Sequence, residues 1–348
     1  MQLKRIAVSL TITIVGCAGA TAQQPDWTDL PGAHLGTIAA SPAQARDTGP
    51  EQPGTRWSKA QLREAVQPAR VGKHLKPSVW PNHARVAVCL SFDVDNESYL
   101  LAGGEISPTT LSAADFGAES GLARILKLLD RYQTPATFFV PAVSAVLHPE
   151  MIPAIMKSGR NEIGVHGWIH EYLPALSADD EERLTDRAIS YLTEATGKRP
   201  VGYRAPSWAF SQNTIGLLQK KGFLYDSSLQ AMDEPYEIES NGKNTGIVEL
   251  AIDWTLTETP YLGASGTMPS PAMLFQLYKD EFDGAYDEGS LFVLTLHPHV
   301  IGHRAPMHYL DQLVAYIKSK PGVWFATGAQ ITEYLKSPDQ GGFSDAGR

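Results

Sequence analysis

An α/β protein built as a β/α barrel is the fold class this sequence predicts, on three observations. Apolar, β-branched runs alternate with helical spacing many times in succession, the pattern of a parallel sheet with crossover helices. About seven such units fill about 250 residues, which favours a closed barrel over an open doubly wound sheet. Polar residues gather just past the carboxyl ends of the expected strands, where barrel enzymes place their chemistry.

The first residues read as an export signal. Lys4 and Arg5 precede an apolar run over residues 6–15, and Ala20-Thr21-Ala22 supplies the small side chains of a cleavage site, which places a signal peptide over residues 1–22. The run is too short to span a bilayer, so the expected location is the periplasm or the exterior. Ile14-Val15-Gly16-Cys17 resembles a lipobox, which makes a lipoprotein anchored through Cys17 the alternative. The second of the two cysteines, Cys89, falls in a strand-like run, so no disulfide framework is available. Residues 23–83 are poor in long apolar runs and dotted with Pro and Gly, which predicts an irregular extension that wraps or tethers. Within it, residues 58–66 predict a short helix capped by Ser58, and Trp57, Trp80 and Pro81 are expected to dock on the main domain.

The main domain is expected over residues 84–338, with a flexible tail over 339–348. Residues 85–92 open it as a strand buried on both faces. An irregular loop over 99–118 follows, then a helix over 121–132 with Leu122, Ile125, Leu126 and Leu129 at helical spacing. The alternation continues through a strand over 136–140, a helix over 149–158, a strand over 162–165, a long helix over 178–196 and a short strand over 201–203. A helix over 214–221, strands over 223–225, 248–252 and 291–296, a helix over 309–319, a strand over 323–326 and a helix over 329–335 complete it.

With 348 residues and 43% hydrophobic content, the chain can bury a substantial core. Lys and Arg number 29 against 38 Asp and Glu, a net charge of -9, and no basic block is long enough to track a phosphate backbone. Nucleic acid is excluded as a partner on that ground. A homo-oligomer is compatible with the composition.

The chemistry begins where Leu90-Ser91-Phe92 runs into Asp93-Val94-Asp95-Asn96-Glu97. Asp93 and Asp95 stand two apart and point to the same side of an extended chain. Two neighbouring carboxylates repel unless they share a cation or a proton, so the pair asks for a metal or for one acid with a raised pKa. His166, Arg204, Asp253 and His297 each fall just past an expected strand. His166 and His170 are spaced i and i+4, so one helical turn after the strand would put both imidazoles on one side, as one zinc-sized ion requires. His299 and His303 share that spacing, but Pro298 and Gly302 argue against a helix, and ordinary structural roles are expected for them and for His308. Two histidines and one carboxylate leave a coordination position open, the pattern of a catalytic metal. Such a metal lowers the pKa of bound water from about 16 to about 7, which points to hydrolysis. With Asp95 on the ion, Asp93 is free to take a proton from the attacking water.

These stretches resemble the carbohydrate esterase family 4 polysaccharide deacetylases, the NodB homology domain, over residues 85–335. Ser91-Phe92-Asp93-Val94-Asp95 stands at that family's first motif, His166-Gly167-Trp168-Ile169-His170 at its second, Arg204-Ala205-Pro206-Ser207-Trp208 at its third and Leu294-Thr295-Leu296-His297-Pro298 at its fifth. The resemblance implies a distorted (β/α)7-type barrel. It implies Asp93 as the general base, with Asp95, His166 and His170 as ligands of a divalent metal, zinc or else cobalt, nickel or manganese. It also implies Arg204 as the residue positioning the base, backbone beside Arg204 as part of the oxyanion site and His297 as the acid that protonates the leaving amine. Asp253-Trp254 resembles the acid and aromatic pair of the fourth motif, with Asp233-Glu234-Pro235-Tyr236 as a competing acidic cluster. Val94 separates the two acids of the first motif, where the usual form has them adjacent and followed by glycine, and Glu171 follows His170. Both departures resemble the branch with peptidoglycan deacetylase-like, cyclic imide hydrolase-like and allantoinase-like members.

A guanidinium at Arg204 bonded to Asp93 would keep that carboxylate ionised and oriented. Trp168, Trp208 and Trp254 follow motif residues closely and are candidates to line a sugar- or ring-binding cleft. Three functions follow: removal of acetyl groups from N-acetylated sugars of a polysaccharide or peptidoglycan, hydrolysis of a cyclic imide or amide at the same site, or non-catalytic glycan binding. The third is disfavoured because a binding protein has no need of base, acid and ligands together.

Overall fold

In the computed structural model, which describes residues 53–263, 266 and 270–337, ten strands form one sheet. In chain order they are β1 (Arg70–His74), β2 (Val86–Asp93), β3 (Thr137–Val140), β4 (Glu162–Val165), β5 (Gly202–Tyr203), β6 (Tyr225–Asp226), β7 (Tyr236–Ser240), β8 (Lys243–Glu249), β9 (Leu291–Leu296) and β10 (Val323–Phe325). The export signal over 1–22, the Cys17 alternative and the tail over 339–348 lie outside the described residues. Among the described residues no helix is long and apolar enough to cross a membrane.

The sheet is organised around β2, whose residues are all buried. One edge pairs with β9 from Ala87 to Phe92; the other pairs with β10 at Val86–Val88 and with β3 at Ser91–Asp93. Parallel pairing continues from β3 through β4, β5 and β6 to β8, so the sheet curls into a distorted barrel, as the family resemblance implies, rather than the closed barrel that the alternation alone favours. Closure is incomplete: the chain after β8 meets β9 at a single parallel bridge, Thr257 to Thr295. Side chains alternate along β2, with Val86, Val88, Leu90 and Phe92 in the helix-facing core and Ala87 and Cys89 in a second apolar cluster.

The amino end of the barrel is plugged. Trp80, almost wholly buried, donates its indole N–H to the Gly289 carbonyl (3.1 Å) and packs 6.1 Å from the rings of Trp324 and Tyr334. The last helix, Gly328–Lys336, begins against the strands, its Gly328 and Ala329 amides donating to Thr137 Oγ1 and to Glu162 Oε2 (2.9 Å each).

Several expectations need correction. The segment before residue 84 is not wholly irregular, because β1 pairs antiparallel with β7. Its pattern is half exposed with no clean alternation, which hides an edge strand from periodicity. The helix at Lys59–Ala65 forms with Ser58 as a reciprocal cap to Gln61, and Trp80 docks, whereas Trp57 is exposed. The stretch read as a loop over 99–118 holds helices at Ser98–Ala102 and Pro108–Phe116, the second running through a wide turn at Gly117–Gly121 into Leu122–Tyr132. A helix at Pro271–Glu288, capped by Ser270 and burying Leu274, Phe275, Tyr278 and Phe282, stands where none is expected. β7 and β8 form a hairpin where one later strand is predicted.

Candidate functional site

The site lies at the carboxyl end of the barrel. Asp93 is the last residue of β2, and His166, Arg204 and His297 directly follow β4, β5 and β9. Parallel strands end on the same side, so residues up to 204 positions apart in sequence, such as Asp93 and His297, converge.

Arg204 is wholly buried and has every nitrogen engaged. Its Nε donates to the Ser227 carbonyl (2.7 Å), its Nη2 to Ser227 Oγ (2.8 Å), and its Nη1 to Ser91 Oγ (3.0 Å) and Asp93 Oδ1 (2.6 Å). The guanidinium also lies 4.1 Å from the Phe139 ring centroid, which fixes its plane. Burial alone would raise the Asp93 pKa, but Arg204, with His166 and His297 beyond it, outweighs burial and holds it below the usual carboxylate value. Asp93 therefore stands ionised, with Oδ2 3.9 Å from the Nε2 of both His166 and His297.

Asp95 is the complementary case. Its Oδ1 lies 3.5 Å from His166 Nε2, its Oδ2 lies 3.8 Å from His170 Nε2, and Oδ1 is buried with no donor. Burial, reinforced by Asp93 and Glu258, raises its pKa despite His166 and His297. His166 donates Nδ1–H to the Arg204 carbonyl (2.7 Å), which turns the Nε2 lone pair toward Asp95. Burial pushes both His166 and His170 down to about 4, so both are neutral, the form that ligates.

Asp95, His166 and His170 offer one ligand atom each within 4.8 Å of one another. Tetrahedral ligands about 2.0–2.1 Å from an ion stand about 3.3–3.5 Å apart, so the observed separations fit a divalent cation after small adjustments. The orphaned Asp95 oxygen is the donor such a cation would satisfy. No helical turn brings the histidines together, contrary to expectation. Gly167 and His170 both take positive φ (74° and 63°), and the Glu171 carboxylate accepts from the amides of Trp168 (3.0 Å) and Ile169 (2.8 Å) between them. The Gly167 and Trp168 carbonyls accept from Ala142 and Val143, locking the loop from the other side.

His297 faces both carboxylates from β9. The fully buried Glu258 accepts from its backbone N–H (2.5 Å) and lies 3.3 Å from Nδ1, and Thr259 Oγ1 lies 3.0 Å from the same nitrogen. Burial opposes charge on this ring, but Glu258, then Asp95 and Asp93, raise its pKa to about 9. Glu258 is the functional candidate that sequence reasoning missed. Asp253, expected as the acid of this group, instead caps the turn Trp254–Leu256 through Thr255 N–H (2.5 Å). Four residues, Trp254 to Thr257, separate the two acids, and it is Glu258 that the chain carries back to β9.

The three tryptophans separate. Trp168 is packed, with the Arg187 guanidinium 3.7 Å from its ring and Tyr191 against its edge. Trp208 and Trp254 form a pair 4.2 Å apart, and Trp254 is 51% exposed, so a flat apolar surface remains there.

A polysaccharide deacetylase family model matches residues 107–225. A peptidoglycan deacetylase of Helicobacter pylori is 31% identical over 72% of this chain and 97% of its own length. The chain belongs to the polysaccharide deacetylase family. A peptidoglycan deacetylase-like protein of Gibberella zeae is 30% identical over 70% of this chain and 84% of its own. Among solved structures, a polysaccharide deacetylase candidate from Mycobacterium smegmatis superposes with TM-score 0.70 at 36% identity, covering 76% of this chain and 95% of that one. The allantoinase PuuE superposes with TM-score 0.68 at 27% identity, covering 76% and 93%. The fold is thus that of the polysaccharide deacetylase family, and the chain sets a candidate His/Asp metal site at its strand ends.

Proposed function

We propose that the chain is an exported, zinc-dependent hydrolase that removes acetyl groups from N-acetylated sugars of peptidoglycan or a related glycan. The observation that carries this reading is the division of labour in one buried cluster. Asp95 with two neutral imidazoles is built to ligate, Asp93 is held ionised by Arg204, and His297 is held protonated by Glu258. Neighbouring titratable groups driven in opposite directions mark acid and base assignments.

A divalent cation held by Asp95, His166 and His170 would polarise the amide carbonyl and acidify water at its open position. Asp93 accepts the proton of the attacking water through Oδ2, the oxygen that Arg204 leaves free. Arg204 keeps that carboxylate from rotating. His297 delivers its Nε2 proton to the departing nitrogen, and Glu258 stabilises the imidazolium until it does so. The exposed ring of Trp254, backed by the half-buried Trp208, offers a face on which a sugar ring can stack.

A second reading keeps the chemistry and exchanges the substrate for a cyclic imide or amide. It is favoured by the Asp93-Val94-Asp95 spacing and by the likeness to an allantoinase structure. Purified protein assayed for acetate release from peptidoglycan fragments and for ring opening of cyclic amides, with and without chelator, separates the two. Chelator-sensitive acetate release is expected. Ring opening alone would transfer the assignment to the second reading, and glycan binding without turnover would end both.

A further inference from the structure

Beneath Arg204 lies a second pair of acids that the proposed chemistry does not use. Asp226 ends β6 and Glu249 ends β8; the strands pair with these two residues in register, and both side chains are wholly buried. Glu249 Oε1 accepts from the amides of Ser228 (2.9 Å) and Leu229 (3.0 Å), and Asp226 Oδ2 accepts from Ser228 Oγ (3.0 Å). The two carboxyl groups stand side by side on paired strands, and Asp226 Oδ1 and Glu249 Oε2 are each buried with no donor. Two acceptors cannot bond without a proton between them.

The loop they hold is the one that holds Arg204. Ser227 gives it a carbonyl and a hydroxyl, while Ser228 Oγ accepts from the Ala205 amide (2.8 Å). We propose that Asp226 and Glu249 share one proton and, by fixing Ser227–Leu229, act as positioning residues that set Arg204 against Asp93. The proposal rests on Asp93 being the base of the hydrolysis above. Arg204 and Tyr203 face the pair from the β5 side and Tyr236 from β7. Arg204 is the cation among them and is already committed to Asp93. In keeping with a retained proton, burial raises Asp226 to about 7 and Glu249 well above its usual range.

Glu249→Gln keeps the oxygen that accepts from both amides and supplies a permanent donor to Asp226, whereas Glu249→Ala leaves the loop unheld. Infrared spectra at pH 6 should show the carbonyl stretch of a protonated carboxylic acid in the wild type that is missing in Glu249→Gln. The native pair binds a proton that the unfolded chain releases at about pH 4, so wild-type stability is lost as pH rises through the pair's folded range. The Tm of Glu249→Gln should therefore gain on the wild type steadily from pH 5 to pH 8. In turnover, Glu249→Ala should lose at least tenfold in kcat with little change in KM, and Glu249→Gln should recover most of it. Identical infrared spectra, parallel Tm curves or an unimpaired Glu249→Ala would overturn the proposal. Because the first two readouts need no substrate, absence of deacetylation with the infrared band present would instead count against the hydrolase reading.

Discussion

Asp93 and Asp95 are two residues apart, yet their surroundings push their pKa values in opposite directions. Arg204 touches only Asp93, so Asp93→Asn should leave metal binding intact while kcat falls about 10³-fold, within the range for loss of a general base. His166→Ala should instead abolish stoichiometric metal. Metal analysis beside kinetics on the two variants checks the division, and metal loss in Asp93→Asn would mean that Asp93 ligates. Glu258 supports a third test. Glu258→Gln retains an acceptor for the His297 backbone N–H but deletes the charge beside the ring, so kcat should fall about 10-fold at constant metal content. Equal kcat would reduce Glu258 to a backbone clip. Asp93, Asp95, His166, Arg204 and His297 were legible in the sequence because each sits at or just past a strand end, a place that apolar runs mark clearly. Glu258 was not legible, because it reaches His297 through an irregular turn with no periodic signal, whereas Asp253 stands just past an apolar run and beside Trp254.

At the scale of elements, strongly periodic segments were legible almost to the residue. Ala178–Thr196 between Ser177 and Gly197 is an example, and Leu291–Leu296 another. What periodicity missed was shaped by tertiary contact. Gly103, Gly104 and Pro108 make residues 99–118 look like loop, and the Gly121 that follows is there because a Cβ would stand 2.2 Å from the Pro298 carbonyl oxygen, while one on Gly302 would stand 2.4 Å from Gly121 Cα. Helix and loop touch backbone to backbone, directly after His297. β1 is illegible for a similar reason: Gly72 allows the Glu237 carbonyl close approach, a requirement set by the partner strand and silent in local sequence. Gly121→Ala should cost about 1–3 kcal/mol as overpacking, lowering Tm by about 2–4 °C per kcal/mol for a chain of this size. It should also depress kcat, since the displaced backbone carries the proposed acid. Thermal unfolding with kinetics on the folded fraction tests both; an unchanged Tm would mean that the helix shifts freely.

For the molecule as a whole, the barrel separates stability from chemistry along its axis. The proposed metal ligands and proton-transferring side chains occupy the carboxyl end. At the amino end Trp80, Trp324 and Tyr334 close the bore, and the last helix is tied in through Thr137 and Glu162. The incomplete seam between β8 and β9 belongs to this arrangement, because a closed ladder there would leave no route for Glu258 to reach His297 from the intervening chain. A plug at one end and an open seam beside the other predict that damage to the plug lowers stability without altering the site. Trp80→Ala removes a buried indole and its bond to Gly289, which should cost about 3–5 kcal/mol. Metal affinity and kcat, corrected for the folded fraction, should stay near wild type, because the plug and the ligands touch opposite ends of β2. Urea unfolding beside metal titration decides it, and a Trp80→Ala protein that is stable but weak in metal binding would show that the two ends are mechanically coupled through β2.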